Sequence, residues 1–333
     1  MLTIKEFFVE HRIEPIGIDE AFPSFSWILE SDGQDISQTA YQLSVYDEVY
    51  PVWETGKVEG NQSIAVVYDG NALQAQTVYT VKLKVWANTG EHSCSQTSFE
   101  TGMMNAELFS GKWITHTMSE DEAACPIFTQ NFSSSGEIER ARIYVSACGF
   151  YEISLNGQKV GCDLFAPGWT NYKKRIQYQI YDITKEIYAK NDLQITISNG
   201  WYNGVLDGNK QSNHYGDRVA AFAEIHIWYT DGRKEVITTN ENWRVSTGEI
   251  RFAEFYDGET VDTTFKSDNS YPVVVSDIDT SKLIAQQCLP VRIETKLPPI
   301  ALIHTPKGET VLDFGQNMSG FVELTVDGQL GSK

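Results

Sequence analysis

The chain has 333 residues, of which 41% are hydrophobic and 12% aromatic, enough for two or three folded domains with ample core. Lys and Arg number 26 against 45 Asp and Glu, a formal net charge of −19, so the molecular field repels phosphate backbones and anionic bilayers, and no nucleic acid is expected as partner. No apolar run reaches eighteen residues and the opening MLTIKEFFVEHRIEPIGIDE has no basic stretch leading into an apolar one, so no membrane contact or signal peptide is expected and the expected location is cytoplasmic.

In chain order, Thr3 to His11 offers a weak helical pattern, and strand-like runs then extend from about Pro23 to Phe99. Within them Tyr79, Val81, Leu83 and Val85 alternate with Thr80, Lys82 and Lys84, the period of two that marks a strand. Phe99-Glu100-Thr101-Gly102 closes this region and MNAELFSGKWITH resets the rhythm, which sets a first domain over residues 1–104. A second domain is expected over 105–290, where Ala141, Ile143 and Val145 alternate with Arg140, Arg142 and Tyr144, and Tyr151, Ile153 and Leu155 with Glu152 and Ser154. Asn156-Gly157 and Asp231-Gly232 are hairpin signals, and TKEIYAK at 184–190 has room for one or two helical turns. About a dozen short strands separated by turns predict a sandwich or jelly roll. Leu297-Pro298-Pro299 punctuates a third unit, 291–333, with two expected strands, T-V-L-D-F and F-V-E-L-T-V. So short a piece has too little core of its own. It is expected to dock on the second domain or to begin a longer one, its open edge inviting self-association.

The chemistry-bearing residues exclude several functions. The histidines (His11, His92, His116, His214, His226, His304) have no zinc-ligand spacing, no G-x-S-x-G elbow or phosphate-binding glycine loop occurs, and no cofactor or metal is implied. The five cysteines (Cys94, Cys125, Cys148, Cys162, Cys288) are widely spaced and lack a C-x-x-C pair, which predicts reduced, mostly buried thiols. Glu254, Asp257, Glu259 and Asp262 cluster in A-E-F-Y-D-G-E-T-V-D. Paired carboxylates can act as acid and base on a glycosidic bond, but Asp-Gly between strands is first a turn. Two aromatic corners, D-L-F-A-P-G-W-T-N-Y at 163–172 and N-G-W-Y-N-G at 199–204, set Trp169, Tyr172, Trp201 and Tyr202 among turn residues. A ring there offers its face to a sugar or to a core. Asp163, Asn171, Asn199, Asn203, Asp207, Asn209 and Asp217 stand near enough in sequence to bind hydroxyls. Asp163, Trp169, Tyr172, Asn199, Trp201 and Tyr202 form the candidate carbohydrate site, with both readings open.

The chain resembles the N-terminal half of a bacterial α-L-rhamnosidase, a glycoside hydrolase. The likeness is carried in order by F-S-W (25–27), Q-T-A-Y-Q-L-S-V (38–45), W-E-T-G-K-V (53–58) and F-E-T-G (99–102). It continues through L-N-G-Q-K-V-G (155–161), A-P-G-W-T-N-Y (166–172), Y-D-I-T (181–184), N-G-W-Y-N-G (199–204), Y-D-G-E-T-V-D (256–262) and L-D-F-G-Q-N-M-S-G (312–320). The resemblance implies an all-β chain: a fibronectin type III or immunoglobulin-like sandwich, then a lectin-like jelly roll, then the start of a further β-sandwich. It also implies that the inverting acid and base lie in a downstream helical barrel, so that no residue here is catalytic, and that the partner is a rhamnose-containing glycan or glycoside. Some members bind terminal rhamnose through the jelly roll with calcium, but Cys162-Asp163 stands where an oxygen-rich pair would suit that ion. The alternative is a free-standing carbohydrate-binding or adhesin-like protein of the same domains.

Overall fold

The structure, a computed structural model, describes residues 2–119, 124–206, 208 and 210–328. It is almost entirely β. The first nine strands are β1 (Leu2–Val9), β2 (Ile16–Ile18), β3 (Ser24–Ser31), β4 (Gln38–Asp47), β5 (Tyr50–Glu54), β6 (Val58–Glu59), β7 (Val66–Val67), β8 (Val78–Ala87) and β9 (His92–Thr101). They form two facing sheets, β1-β3-β7 and β2-β9-β8-β4-β5 with β6 on β4. Phe25, Trp27, Leu43, Val45, Val81 and Val85 fill the space between them.

The segment expected to be weakly helical is strand β1, paired along its length with β3. A register shift between Ile4 and Glu6 moves the apolar phase by one residue, so Leu2, Phe7 and Val9 are the buried positions. That bulge erases the period of two from the sequence.

The second set comprises β10 (Ile114–Thr115), β11 (Pro126–Ser133), β12 (Ile138–Cys148), β13 (Phe150–Leu155), β14 (Gln158–Val160), β15 (Ile176–Asp182) and β16 (Lys190–Ser198). After the helical turn α1 (Gly200–Asn203) come β17 (Ala220–Tyr229), β18 (Lys234–Thr238), β19 (Arg244–Thr247), β20 (Ile250–Glu254), β21 (Gly258–Val261), β22 (Tyr271–Pro272), β23 (Val274–Val275) and β24 (Leu283–Ala285). One sheet runs β23-β10-β17-β12-β15-β24 with β18 on β17, and the other runs β14-β13-β16-β11-β19-β22. Asn156 and Gly157 both take positive φ, 55° and 76°, at the β13–β14 hairpin, as a type I′ turn requires. The 184–190 segment is a turn without regular helix.

The alternation in β12 does not separate a wet face from a dry one. Ala141, Ile143, Val145 and Ala147 enter the core between the two sheets, while Tyr144 and Cys148 belong to a second buried cluster on the opposite face with Tyr178 and Phe222. Much of that opposite face lies beneath the first sandwich. Glu100 of β9, 3% exposed, accepts from Nε and Nη2 of Arg142 at 3.0 and 2.8 Å and from Nη1 of Arg140 at 3.2 Å. The Gln76 amide donates to the Tyr144 hydroxyl at 2.9 Å and lies 2.8 Å from Nδ1 of His226, whose Nε2 meets the buried Glu224 carboxylate at 2.7 Å. Asp19 accepts from the Tyr178 hydroxyl and from the backbone N–H of Met104 and Ala285. Residues up to Val291 accordingly form one compact unit, and a second begins at Arg292.

The second unit holds β25 (Ala301–His304) paired antiparallel with β26 (Thr310–Asp313). The expected strand F-V-E-L-T-V is not one: residues 321–326 have no ladder and are exposed throughout. β-propensity alone does not make a strand without a neighbour to accept its hydrogen bonds.

The expectation of mostly buried thiols holds for Cys125 and Cys148 alone, since Cys94, Cys162 and Cys288 are exposed. Burial pushes both inner thiols up to about 12, which suppresses the reactive thiolate. A maleimide at neutral pH should therefore modify Cys94, Cys162 and Cys288 in the native chain and reach Cys125 and Cys148 on unfolding, as peptide mass spectrometry would show. Removing Glu100 takes the buried carboxylate from Arg140 and leaves Arg142 with only the half-exposed Asp182 as counter-ion among the described residues, so Glu100→Ala should lower stability by about 3–5 kcal/mol. Glu59→Ala, which loses an exposed pair with Lys57, should stay within about 1 kcal/mol of the parent. Equal denaturant midpoints for the two variants would contradict the role given to the seam.

Candidate functional site

The two aromatic corners meet at one end of the second sandwich. Where β16 ends, Gly200 takes φ +54°, and a Cβ there would sit 2.8 Å from the backbone nitrogen of Phe150. Gly149 takes φ +141°, and a Cβ there would clash with the Ser198 carbonyl oxygen. Two glycines thus allow the chain entering α1 to touch the start of β13, which sets Trp201 edge-on to Phe150 at 4.6 Å and 90°.

The other corner is held from below. The peptide Ala166-Pro167 is cis. The Pro167 carbonyl accepts from the side-chain amides of Gln177 and Gln179, both at 3.1 Å, and the Ala166 carbonyl from the backbone of Tyr151 at 3.0 Å. On this base Trp169 lies nearly parallel to Trp201, centroids 5.8 Å apart and planes 19° apart. Trp169 is 55% exposed, with its indole N–H directed at the Tyr215 hydroxyl at 3.4 Å. Phe165 and Phe255, both partly exposed, pack on each other at 5.2 Å and on the half-buried Trp201. Tyr256 continues the patch against Phe255.

The six candidate residues separate into different roles. Trp169 and Trp201 come together as a stacked pair. Tyr172 and Tyr202 are buried and pack edge-on to each other at 5.3 Å. The Tyr172 hydroxyl donates to the Gly168 carbonyl at 3.1 Å, and burial pushes both phenols well above their ordinary range, holding them neutral. These two rings are core and offer no face to a sugar. Asn199 donates to Glu254 at 2.9 Å, and the Glu254 carboxylate also receives the backbone N–H of Val205 at 3.3 Å. Asp163 accepts from the Tyr181 hydroxyl at 3.2 Å. Asn171 and Asp217 are exposed, and Asp207 and Asn209 lie outside the described residues.

The acidic stretch is the β20–β21 hairpin. Glu254 is occupied as described, Asp257 lies 3.6 Å from Lys210 with both groups exposed, and Glu259 faces solvent. The Thr264 hydroxyl and backbone N–H hold the Asp262 carboxyl below the usual carboxylate range, the signature of a turn cap. Among the described residues no cluster of three or more His, Cys, Asp or Glu could hold a metal ion. Phe150, Phe165, Tyr215 and Phe255 are site residues that the sequence pattern did not single out. Phe255-Tyr256 sits inside the acidic motif, where the carboxylates mask the rings between them.

A cleft of about 570 Å³ opens elsewhere, at the seam of the two sandwiches beside Glu10, Arg12, Asp19, Glu20 and Glu107. Its carboxylate Asp19 is already satisfied by the Tyr178 hydroxyl and the Ala285 N–H from the second sandwich and by the Met104 N–H from the first.

Comparison with known proteins gives three family matches. Residues 4–105 match the Rha78A-like, N-terminal immunoglobulin domain, residues 136–295 the alpha-L-rhamnosidase N-terminal domain, and residues 303–333 the bacterial alpha-L-rhamnosidase concanavalin-like domain. An alpha-L-rhamnosidase of Formosa agariphila is 30% identical over 370 aligned residues, covering 96% of this chain and 39% of that protein. The crystal structure of the Aspergillus terreus enzyme superposes with a TM-score of 0.85 at 27% identity, over 96% of this chain and 39% of that one. The structure of the Dictyoglumus thermophilum enzyme does so with a TM-score of 0.79 at 30% identity, over 94% and 38%. The chain thus spans about two fifths of the length of these relatives.

The stacked pair has one structural and one exposed member. Trp201→Ala should cost about 3 kcal/mol, the low end for a truncated aromatic, because it removes the contact shared by Phe150, Phe165, Phe255 and Trp169. Trp169→Ala should remain within about 1 kcal/mol of the parent. Paired thermal melts decide the matter: equal losses would mean that Trp169 is core as well.

Proposed function

This chain belongs to the α-L-rhamnosidase family and corresponds to the N-terminal part of its members, and on that premise we propose that it is the non-catalytic front of an enzyme cleaving terminal α-L-rhamnosyl linkages. In this reading the Trp169–Trp201 corner offers the surface on which a rhamnose-containing glycan rests. The observation that carries it is the outer face of Trp169, exposed but immobilised by the stack beneath and by a loop tied down through two buried glutamines. A pyranose has an apolar C–H face that packs on such a ring, and a ring fixed in advance loses little entropy on binding. Exposed Asn171, two residues after Trp169, and exposed Asp217, two residues after the Tyr215 that Trp169 meets, supply groups for sugar hydroxyls.

Hydrolysis belongs elsewhere in the enzyme. Inversion needs two carboxyl groups roughly 6.5–9.5 Å apart across the scissile bond, and the carboxylates of 254–262 are turn caps, hydrogen-bond acceptors or exposed. The purified chain should release no chromophore from an aryl α-L-rhamnoside. Turnover above buffer that vanishes in Glu259→Gln or Asp257→Asn would overturn this assignment. In calorimetric titration with L-rhamnose and a rhamnose-terminated oligosaccharide, Trp169→Ala should bind at least tenfold more weakly than the parent while melting at the same temperature. Failure of the parent to bind either sugar, or equal binding by the variant, would remove the corner from the proposal.

A further inference from the structure

A second surface lies on the first sandwich, on the outward face of the sheet β5-β4-β8-β9. The register aligns Glu54, Ser44, Lys82 and Gln96 in one row across the four strands, and Gln42, Lys84 and Cys94 in the next. Two aromatic residues bound these rows. Tyr46 stands opposite Thr80, two positions before Lys82, and Trp86 stands two positions after Lys84. Each lysine leans onto the nearer ring: the Lys82 ammonium lies 4.6 Å from the Tyr46 centroid and the Lys84 ammonium 4.9 Å from that of Trp86. The two therefore splay apart along the strand. Between them opens a furrow of about 670 Å³ lined by Gln42, Ser44, Cys94 and Gln96. From strand spacing and rise it is about 14 Å long across the sheet and about 7 Å wide.

We propose that this furrow binds a carboxylated glycan chain, with Lys82 and Lys84 as its charged walls and the amides and hydroxyl of Gln42, Gln96 and Ser44 meeting sugar hydroxyls. The walls are positioned before any ligand arrives, because cation–π contact holds each ammonium to its side. Among the described residues neither lysine is in an ion pair, whereas Lys57, which also lies over Trp86, is matched with Glu59. Glu54, which lines the β5 end of the furrow, accepts from the Gln42 amide and keeps its negative charge, so the anion is expected toward the β8–β9 side. Each ammonium thus keeps its positive charge at one side of the furrow, against an aromatic ring rather than a carboxylate, on a molecule of net charge −19. That background selects among anions. A nucleic acid, with one phosphate per roughly 1.7 Å of duplex, is repelled by the molecule as a whole, while a polyuronate with its sparser carboxylates gains the local attraction at smaller long-range cost. That the polymer is a glycan rests on the family reading above.

The test is fluorescence anisotropy of a labelled oligogalacturonate titrated with the full chain. Binding is expected in low salt, with at least a tenfold loss in K82E/K84E at unchanged melting temperature and a comparable loss at about 0.5 M NaCl, where the Debye length falls below about 5 Å. Labelled dextran should not bind, W169A should bind as the parent does, and oligogalacturonate should slow maleimide labelling of Cys94 measured by mass spectrometry. The proposal is overturned by absence of binding, by equal binding of K82E/K84E, by equal binding of dextran, or by polyglutamate competing as well as the uronate at equal charge. Loss of binding in W169A would place the polymer at the other corner and overturn it too. Failure of rhamnose to bind at Trp169 leaves this result independent, because the two surfaces share no residue.

Discussion

Glu100 is the constraint on which the rest of the structure depends. A carboxylate at 3% exposure must find positive charge or donors at once. It finds both guanidinium groups, Arg142 through two nitrogens and Arg140 through one, on a single strand of the neighbouring sandwich. Coulomb attraction alone would not repay the desolvation of three charges. The remaining donors are also used: Arg140 gives another hydrogen bond to the Gln76 carbonyl and lies 4.0 Å from the Trp228 ring, while Arg142 reaches Asp182 at 2.8 Å. Such a contact has one geometry, because a tilt of either sandwich would leave buried charge uncompensated. The seam therefore fixes the angle between the domains more sharply than an apolar contact of equal area would.

Strand β15 passes that constraint on to the aromatic corner. Successive residues along it face opposite ways. Tyr178 donates to Asp19 and accepts from the Met103 backbone at the seam, while Gln177 and Gln179 on either side of it hold the Pro167 carbonyl. Gln177 also receives the backbone N–H of Gln287 at 3.1 Å. One strand thus ties the first sandwich to the base of the loop that carries Trp169. The exposed ring is the end of a chain of satisfied buried polar groups, and its order derives from them. In this way a surface tryptophan on a loop stands on a hydrogen-bonded base.

The charge of the molecule is unevenly used. Most acidic side chains are solvated, as in the 254–262 hairpin, where Asp257 and Glu259 face water. Lys82 and Lys84 by contrast stand on a face where their ammonium groups settle on aromatic rings, Lys82 on Tyr46 of the adjacent strand and Lys84 on Trp86 of its own. Net charge describes the far field, and the near field of one sheet face can oppose it.

Local chemistry decided the β class, because alternation in β8, β12 and β13 is a property of neighbouring residues and needs no tertiary context. The same holds for the Asn156-Gly157 turn, where two positive φ angles suit these residues and few others. Legibility ended where a residue's state depends on partners remote in sequence. Trp169 and Tyr172 stand three apart in one turn-rich motif, yet one is exposed and the other buried, because Tyr172 lies under Tyr202 and Tyr215 while Trp169 lies outside Trp201. The bulge in β1 hid a strand, and the run at 321–326 looks like one but pairs with no strand among the described residues. Above all, the polar positions of β12 and β17 have the pattern of a solvated face, and the first sandwich makes them the seam. Which residues alternate is written in the chain itself. That both faces of β12 are buried follows from packing alone, since burial belongs to the surface that arrives from another domain.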